Sequence, residues 1–171
     1  DATDRQAMIA TADAIEAAHR PIGLLVCSAG SYVAFGLAEW SADKLMNLMK
    51  LNVGGVANAL EAMLPRFVVR DRGHIAIVSS LTQYRGMGRT AAYGASKSAL
   101  LTIAESLRLR ARGTGIKVQI IVPSYVATPM SAGAPFPLPH LHTAEAAAAR
   151  TVQGLAPARF ALALPTRLVL R

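Results

Sequence analysis

Cysteine is nearly missing from this chain: Cys27 is the single one among 171 residues, and it sits inside the apolar run Leu24-Leu25-Val26-Cys27. A disulfide framework is therefore excluded, and no cysteine pair is available to hold a metal, which makes the cytoplasm the default compartment. His140 and His142 are close in sequence but alone, too few for a metal centre. Lysine is scarce too. Its 4 copies, with 14 arginines, oppose 10 acids for a net charge of +8, yet the bases are scattered from Arg5 to Arg171 and form no run. A nucleic-acid binder would need a clustered patch, which this distribution does not offer. Arg108, Arg110 and Arg112 close a helical stretch, where cations meet the negative end of the helix dipole.

No apolar run reaches the roughly 18 to 20 residues required to span a bilayer. The start lacks a basic region followed by an apolar one, so no secretory signal is read there. The last eight residues, Leu164 to Arg171, are apolar and basic but too few to argue membrane contact. A starting Met is also missing, and the opening Asp1-Ala2-Thr3-Asp4 reads as the middle of a protein, so a longer natural chain is expected.

What is present is a globular composition, 53% hydrophobic and 16% charged, organised as helices alternating with short apolar runs. Met8, Ile9, Ala12 and Ile15 at helical spacing predict a helix near 4–19, stopped before Pro21. Residues 22–27 predict a strand covered on both faces. A long helix is predicted over 42–69 with Ser41 as its N-cap, a strand over 74–79, and a second long helix over 91–112. A strand over 116–122 ending at Pro123, a helix near 143–154 and a fourth strand over 158–163 complete the chain. Between them lies a loop with Pro129, Pro135, Pro137 and Pro139. This alternation predicts an α/β, doubly wound parallel sheet in one domain over residues 1–171.

Such sheets bind ligands beyond the carboxyl ends of their strands. Small or hydroxylic residues gather there: Ser28-Ala29-Gly30, Ser79-Ser80 and Pro123-Ser124. Tyr93 and Lys97, four residues apart, share one helical face, and a cation beside a phenol is expected to pull its pKa down toward working range. Tyr-x-x-x-Lys alone is a weak motif, equally the mark of an exposed Lys beside a half-buried Tyr. Ser80 lies 13 residues before Tyr93, and Asn52, unfavourable in a helix interior, lies 28 before Ser80.

Asn52, Ser80, Tyr93 and Lys97 fall at the spacings of the Asn-Ser-Tyr-Lys tetrad, so the chain resembles the short-chain dehydrogenases/reductases over nearly its whole length. Asp1 and Ala2 resemble the segment after the family's third strand, where an Asp contacts adenine. Cys27-Ser28-Ala29-Gly30 resembles its Asn-Asn-Ala-Gly motif, and Pro123-Ser124 with Val126 and Thr128-Pro129-Met130 resembles its Pro-Gly motif and the Thr that meets the nicotinamide carboxamide. The resemblance implies a Rossmann-like fold lacking the N-terminal βαβα portion with its glycine-rich phosphate loop. It also implies NAD or NADP as cofactor and a small carbonyl or secondary alcohol as substrate. In that reading Tyr93 transfers the proton, Ser80 holds the substrate oxygen, Lys97 binds the nicotinamide ribose and Asn52 holds a water of a proton relay.

Three departures stand out: Cys27 and Ser28 replace two Asn, and Ser124 replaces a Gly that borders the nicotinamide. Met130, Phe136, Leu138 and Leu141 would give a lid an apolar surface, compatible with a 3-oxoacyl or 3-keto lipid substrate, and equally with packing against the domain. Trp40 and Tyr84 could line the same pocket or merely cover the core. The apolar excess on the long helices, at Val68, Val69, Leu101 and Ile103, together with the family's habit, implies a homodimer or homotetramer, which light scattering at micromolar concentration would test. The rival from another class is a non-catalytic dinucleotide sensor or scaffold that keeps the fold; the intact tetrad speaks against it.

Overall fold

The computed structural model describes residues 1–134, 137–156 and 159–164; Pro135, Phe136, Pro157, Ala158 and residues 165–171 lie outside it, and with them the Phe136 part of the expected lid and nearly all of the basic C-terminal segment. Helix α1 (Arg5–Ala18) starts at Asp4, whose side chain accepts a hydrogen bond from Ala7 N. Strand β1 (Leu24–Cys27) follows, then helices α2 (Ala42–Met49) and α3 (Gly55–Arg70), β2 (Gly73–Val78), α4 (Ala91–Arg110), β3 (Ile116–Pro123), α5 (Ala144–Leu155) and β4 (Ala161–Leu164). The strands are parallel in the order β1-β2-β3-β4. Parallel neighbours need a crossover, and α2 with α3, then α4, then α5 supply the three between successive strands.

Register assigns the two faces. Leu25, Ile75 and Val118 are partners in one row, and Cys27, Ile77 and Ile120 in another. Both rows meet Val56, Ala59, Leu60 and Met63 of α3, Leu100 and Ala104 of α4, and Ala12 of α1 in one buried cluster. The opposite face carries Ala76, Ile121 and Leu164, against which Leu155 of α5 packs. Helices thus cover both faces, as the alternation predicted.

Strand β1 departs from the expectation of two covered faces. Leu24 and Val26 remain 41% and 45% exposed. The reason is position: β1 is the outer strand of the four, and α5 packs on β3 and β4 at the other end. Among the described residues β1 pairs on one side only, and its other edge and apolar outer face are the kind of surface that proteins ordinarily cover. Of the apolar excess on the long helices, Val68 and Val69 are exposed, whereas Leu101 and Ile103 pack against the core.

The long helix expected over 42–69 is interrupted. Ser41 caps its start, with Lys44 N donating to Ser41 Oγ at 3.3 Å, but Lys50–Gly54 form a π-helical turn between α2 and α3. Asn52 stands in that turn and is fully buried. Insertions of this kind recur at functional sites, because one extra residue re-aims a side chain without ending the helix.

Past α3 the backbone needs glycine. A Cβ on Gly73 would lie 2.2 Å from the ring of Phe67, which is completely buried, and one on Gly115 would lie 1.9 Å from the Asp71 carbonyl oxygen. Gly73→Ala is therefore expected to destabilise the fold by about 1–3 kcal/mol, the usual cost of overpacking, and a denaturant melt checks it. An unchanged midpoint would mean that Phe67 moves aside freely.

Candidate active site

The carboxyl ends of β1, β2 and β3 carry Ser28–Gly30, Ser79–Ser80 and Ser124, and the first turns of α4 lie across them. Ser79 Oγ donates to the Lys97 carbonyl at 3.2 Å, tying α4 to the end of β2. That contact brings Tyr93 and Lys97, one helical turn apart, to the strand ends. Ser80 is extended, accepts from Thr82 N at 3.3 Å through its hydroxyl, and is near enough to the Tyr93 phenol to favour its ionised form.

Lys97 is only 5% exposed. Its Nζ donates to the Val78 carbonyl at 3.0 Å and stands 5.5 Å from the centre of the Tyr93 ring. Burial alone pushes its ammonium down to about 8. Tyr93 moves the other way from the expectation. Burial raises the phenol above its usual range, the Ser80 side chain opposes this, and the charge of Tyr32 adds to it. The expected lowering by Lys97 is not among the influences on the phenol; its ammonium bonds a main-chain carbonyl and stands 5.5 Å from the centre of the ring.

Asn52 uses its whole side-chain amide. Oδ1 accepts from Ser31 N at 2.8 Å, while Nδ2 donates to Ser31 O at 3.0 Å and to Ser96 Oγ at 3.0 Å. Ser96 Oγ in turn donates to the Tyr93 carbonyl at 2.8 Å. The π turn, the loop after β1 and the start of α4 are thus fastened at one buried amide. Gly30 fits under this arrangement with little room, since a Cβ there would come within 3.3 Å of Asn52 Oδ1 and 3.7 Å of Lys97 Nζ.

The tetrad and Gly30 therefore come together. Ser28 and Ala29 instead line a small pocket of about 90 Å³ with Ala2, Gly55 and Val56. Ala2 is held there by Asn58, whose Nδ2 donates to its carbonyl at 2.9 Å. Asp1 turns its exposed carboxylate to its own neighbour, accepting from Thr3 N at 2.8 Å. Beyond β3, Pro123 ends the strand and Ser124 N donates to Leu164 O at 2.7 Å. Val126 pairs with His142, and Ser131 Oγ donates to Val126 O at 2.7 Å, which braces the turn carrying exposed Thr128. In the described part of the expected lid, Met130 and Leu141 are about half exposed. Among the described residues no three His, Cys, Asp or Glu side chains converge on a metal, and no helix is long and apolar enough to cross a membrane. Cys27 is buried, with its thiol pushed up to about 12, and so is inert.

Sequence reasoning missed Tyr32, Ser31, Ser96 and Asn58. Tyr32 stands edge-to-face with Tyr93, ring centres 5.2 Å apart and planes at 81°. It is two residues past Gly30 in a segment without regular structure, so no periodicity announces it. The interior Asn at 52 did carry a signal, because a buried amide requires partners.

A parallel α/β sheet with its polar residues gathered at the strand ends defines a protein of the Rossmann-like class. Residues 1–135 match the family model described as short chain dehydrogenase, and the chain belongs to that family. It is 37% identical to an uncharacterized oxidoreductase of Myxococcus xanthus, over 98% of this chain and 69% of that protein. It is also 30% identical, over 68% of its length, to the human protein named inactive hydroxysteroid dehydrogenase-like protein 1, of which it spans 36%. The fold matches a short-chain dehydrogenase from Sphingobium yanoikuyae in complex with NADPH, with a TM-score of 0.85 and 22% identity, over 99% of this chain and 67% of that one.

Proposed function

We propose that this chain forms the catalytic part of an NAD- or NADP-dependent oxidoreductase acting on a carbonyl compound or secondary alcohol, with Tyr93 as the general acid and base. The observation that carries this reading is the Tyr93 ring 5.5 Å from the ammonium of buried Lys97, with the start of its helix fastened to buried Asn52 through Ser96. In reduction, the Tyr93 hydroxyl donates its proton to the substrate oxygen, which Ser80 holds; in oxidation the same oxygen takes the proton back.

The nicotinamide half of a dinucleotide fits the residues present. Lys97 spends one N–H on Val78 O, which leaves two for ribose hydroxyls, and Gly30 permits close backbone approach. Ser124, Val126 and Thr128 would border the nicotinamide, and Asp1, Ala2, Ser28 and Ala29 the adenosine side. The bound nucleotide supplies or accepts the hydride. That the fold's relative from Sphingobium yanoikuyae was solved with NADPH supports this choice of cofactor. Residues 1–171 act as one domain in this reading, within a homo-oligomer that takes small-molecule substrates.

The relative named inactive supplies a second reading, a nucleotide-binding protein without turnover. Retention of Asn52, Ser80, Tyr93 and Lys97 in one connected cluster favours the enzyme. Incubating the intact protein with NADH or NADPH and a panel of ketones separates the two: nucleotide oxidation that depends on ketone supports the enzyme, and nucleotide binding without turnover on any ketone supports the alternative.

A further inference from the structure

Tyr32 belongs to a segment anchored on both sides. Ser31 before it is held at both its N–H and its carbonyl by Asn52, and Val33 after it packs with Phe35, Leu48 and Ala92 in a small core that Tyr93 also joins. Further on, Phe35 N donates to Arg89 O at 3.2 Å, and Glu39 pairs with Arg89 at 2.9 Å. A residue fixed between two anchors cannot swing away at little cost. Tyr32 is half-buried, so part of its surface stays accessible beside the Tyr93 ring.

The Tyr32 ring stands edge-on against the Tyr93 ring, with centres 5.2 Å apart and planes at 81°, and so forms part of the surroundings of the phenol. The loops after β1 and β2, joined through Glu39 and Arg89, expose Leu37, Trp40, Tyr84 and Met87. Arg89, between those loops, is paired with Glu39, and exposed Arg85 follows Tyr84 on the loop after β2. A cluster of exposed apolar side chains is a mark of a binding surface.

We propose that Tyr32 is the specificity-determining wall of the Tyr93 site, bracing the phenol ring edge-on and selecting carbonyl compounds that carry an aromatic or extended apolar substituent. This rests on Tyr93 being the proton-transfer residue. An aromatic edge-to-face pair prefers one mutual geometry, so Tyr32 both orients its partner and presents ring surface to the substituent. A sugar-like carbonyl compound would have to desolvate its hydroxyls against that surface without partners.

The test compares acetophenone with 2-butanone in the intact, nucleotide-supplied enzyme and its Tyr32→Ala and Tyr32→Phe variants. Tyr32→Ala is expected to lower kcat/KM for acetophenone at least about tenfold, mainly through KM, and clearly more than for 2-butanone. Tyr32→Phe restores the preference for the aryl ketone, because the ring and its edge contact with Tyr93 remain. Equal losses on both ketones, or none, would overturn the proposal. Calorimetric titration of acetophenone into the nucleotide-loaded protein separates this failure from that of the reaction itself. Binding that needs Tyr32 without turnover of any ketone sinks the oxidoreductase reading and leaves the wall standing. Turnover with binding indifferent to Tyr32, or no acetophenone binding at all, removes the wall.

Discussion

Tyr93→Phe should lower kcat for ketone reduction by about 10²- to 10⁴-fold, the usual share of a positioned proton donor. The substitution removes one oxygen and little else. The phenyl ring keeps its edge contact with Tyr32 and its place beneath the Lys97 ammonium, so the helix and the nucleotide site should be unaffected. The KM for ketone should change far less than kcat, since Ser80 still offers its hydroxyl to the substrate oxygen. Initial rates with either nucleotide, alongside a thermal melt, measure both quantities. A rate within about threefold of the wild type would remove Tyr93 from the proton transfer and leave Ser80 or a water as donor.

Lys97→Met has the second largest expected effect, and it divides function from stability. Two lost charge-assisted hydrogen bonds to a ribose, each about 1.5–3 kcal/mol, would weaken nucleotide affinity by roughly 10²-fold or more. The fold itself carries a cost for this lysine. Its folded-state pKa of about 8 lies below the usual 10.5, so between those values the folded chain has released a proton that the unfolded chain still holds. Stability contributed through Lys97 therefore rises as pH increases from about 8 to 10.5, and below about 8 the full penalty for burying the cation is present. Melts without nucleotide at pH 7 and pH 10 should show the wild type gaining on the variant at the higher pH. The same difference in Tm between the two proteins at both pH values would mean that the ammonium is well solvated in the folded chain. Sites that bind at the expense of stability commonly behave as this lysine is expected to.

Much of the fold is written locally. Apolar runs at 22–27, 74–79 and 116–122 give β1, β2 and β3 because a strand inside a parallel sheet is apolar along its whole length. The ends moved by one or two residues, as helix and strand ends do. Failure at β1 has a definite cause: an apolar run states that its residues avoid water, but cannot state which neighbours are there to cover them. Leu24 and Val26 read the same as Ile75 and Ile77, and only their place at the edge of the sheet leaves them exposed. The interrupted helix is a similar case. Heptad-like spacing continues from Leu45 through Leu64, and nothing in it marks the extra residue at Lys50–Gly54.

The site divides along the same line. Spacing put Tyr93 above Lys97, because four residues make one helical turn whatever surrounds them. Asn52, Ser80 and the strand-end small residues were legible as polar or glycine positions in places that disfavour them. Tyr32 was not, and neither was the direction of the Tyr93 pKa. The sequence by itself determined the element order, the parallel class of the sheet and the four polar residues at its carboxyl end, since periodicity and helical pitch act over a few neighbouring residues. Only the tertiary structure decided which amide pins Ser31, which ring stands against Tyr93, and that Lys97 bonds the Val78 carbonyl. Those outcomes depend on burial and on contacts between residues 19 to 61 positions apart, such as Tyr32 with Tyr93 and Asn52 with Ser96, and no local pattern encodes such distances.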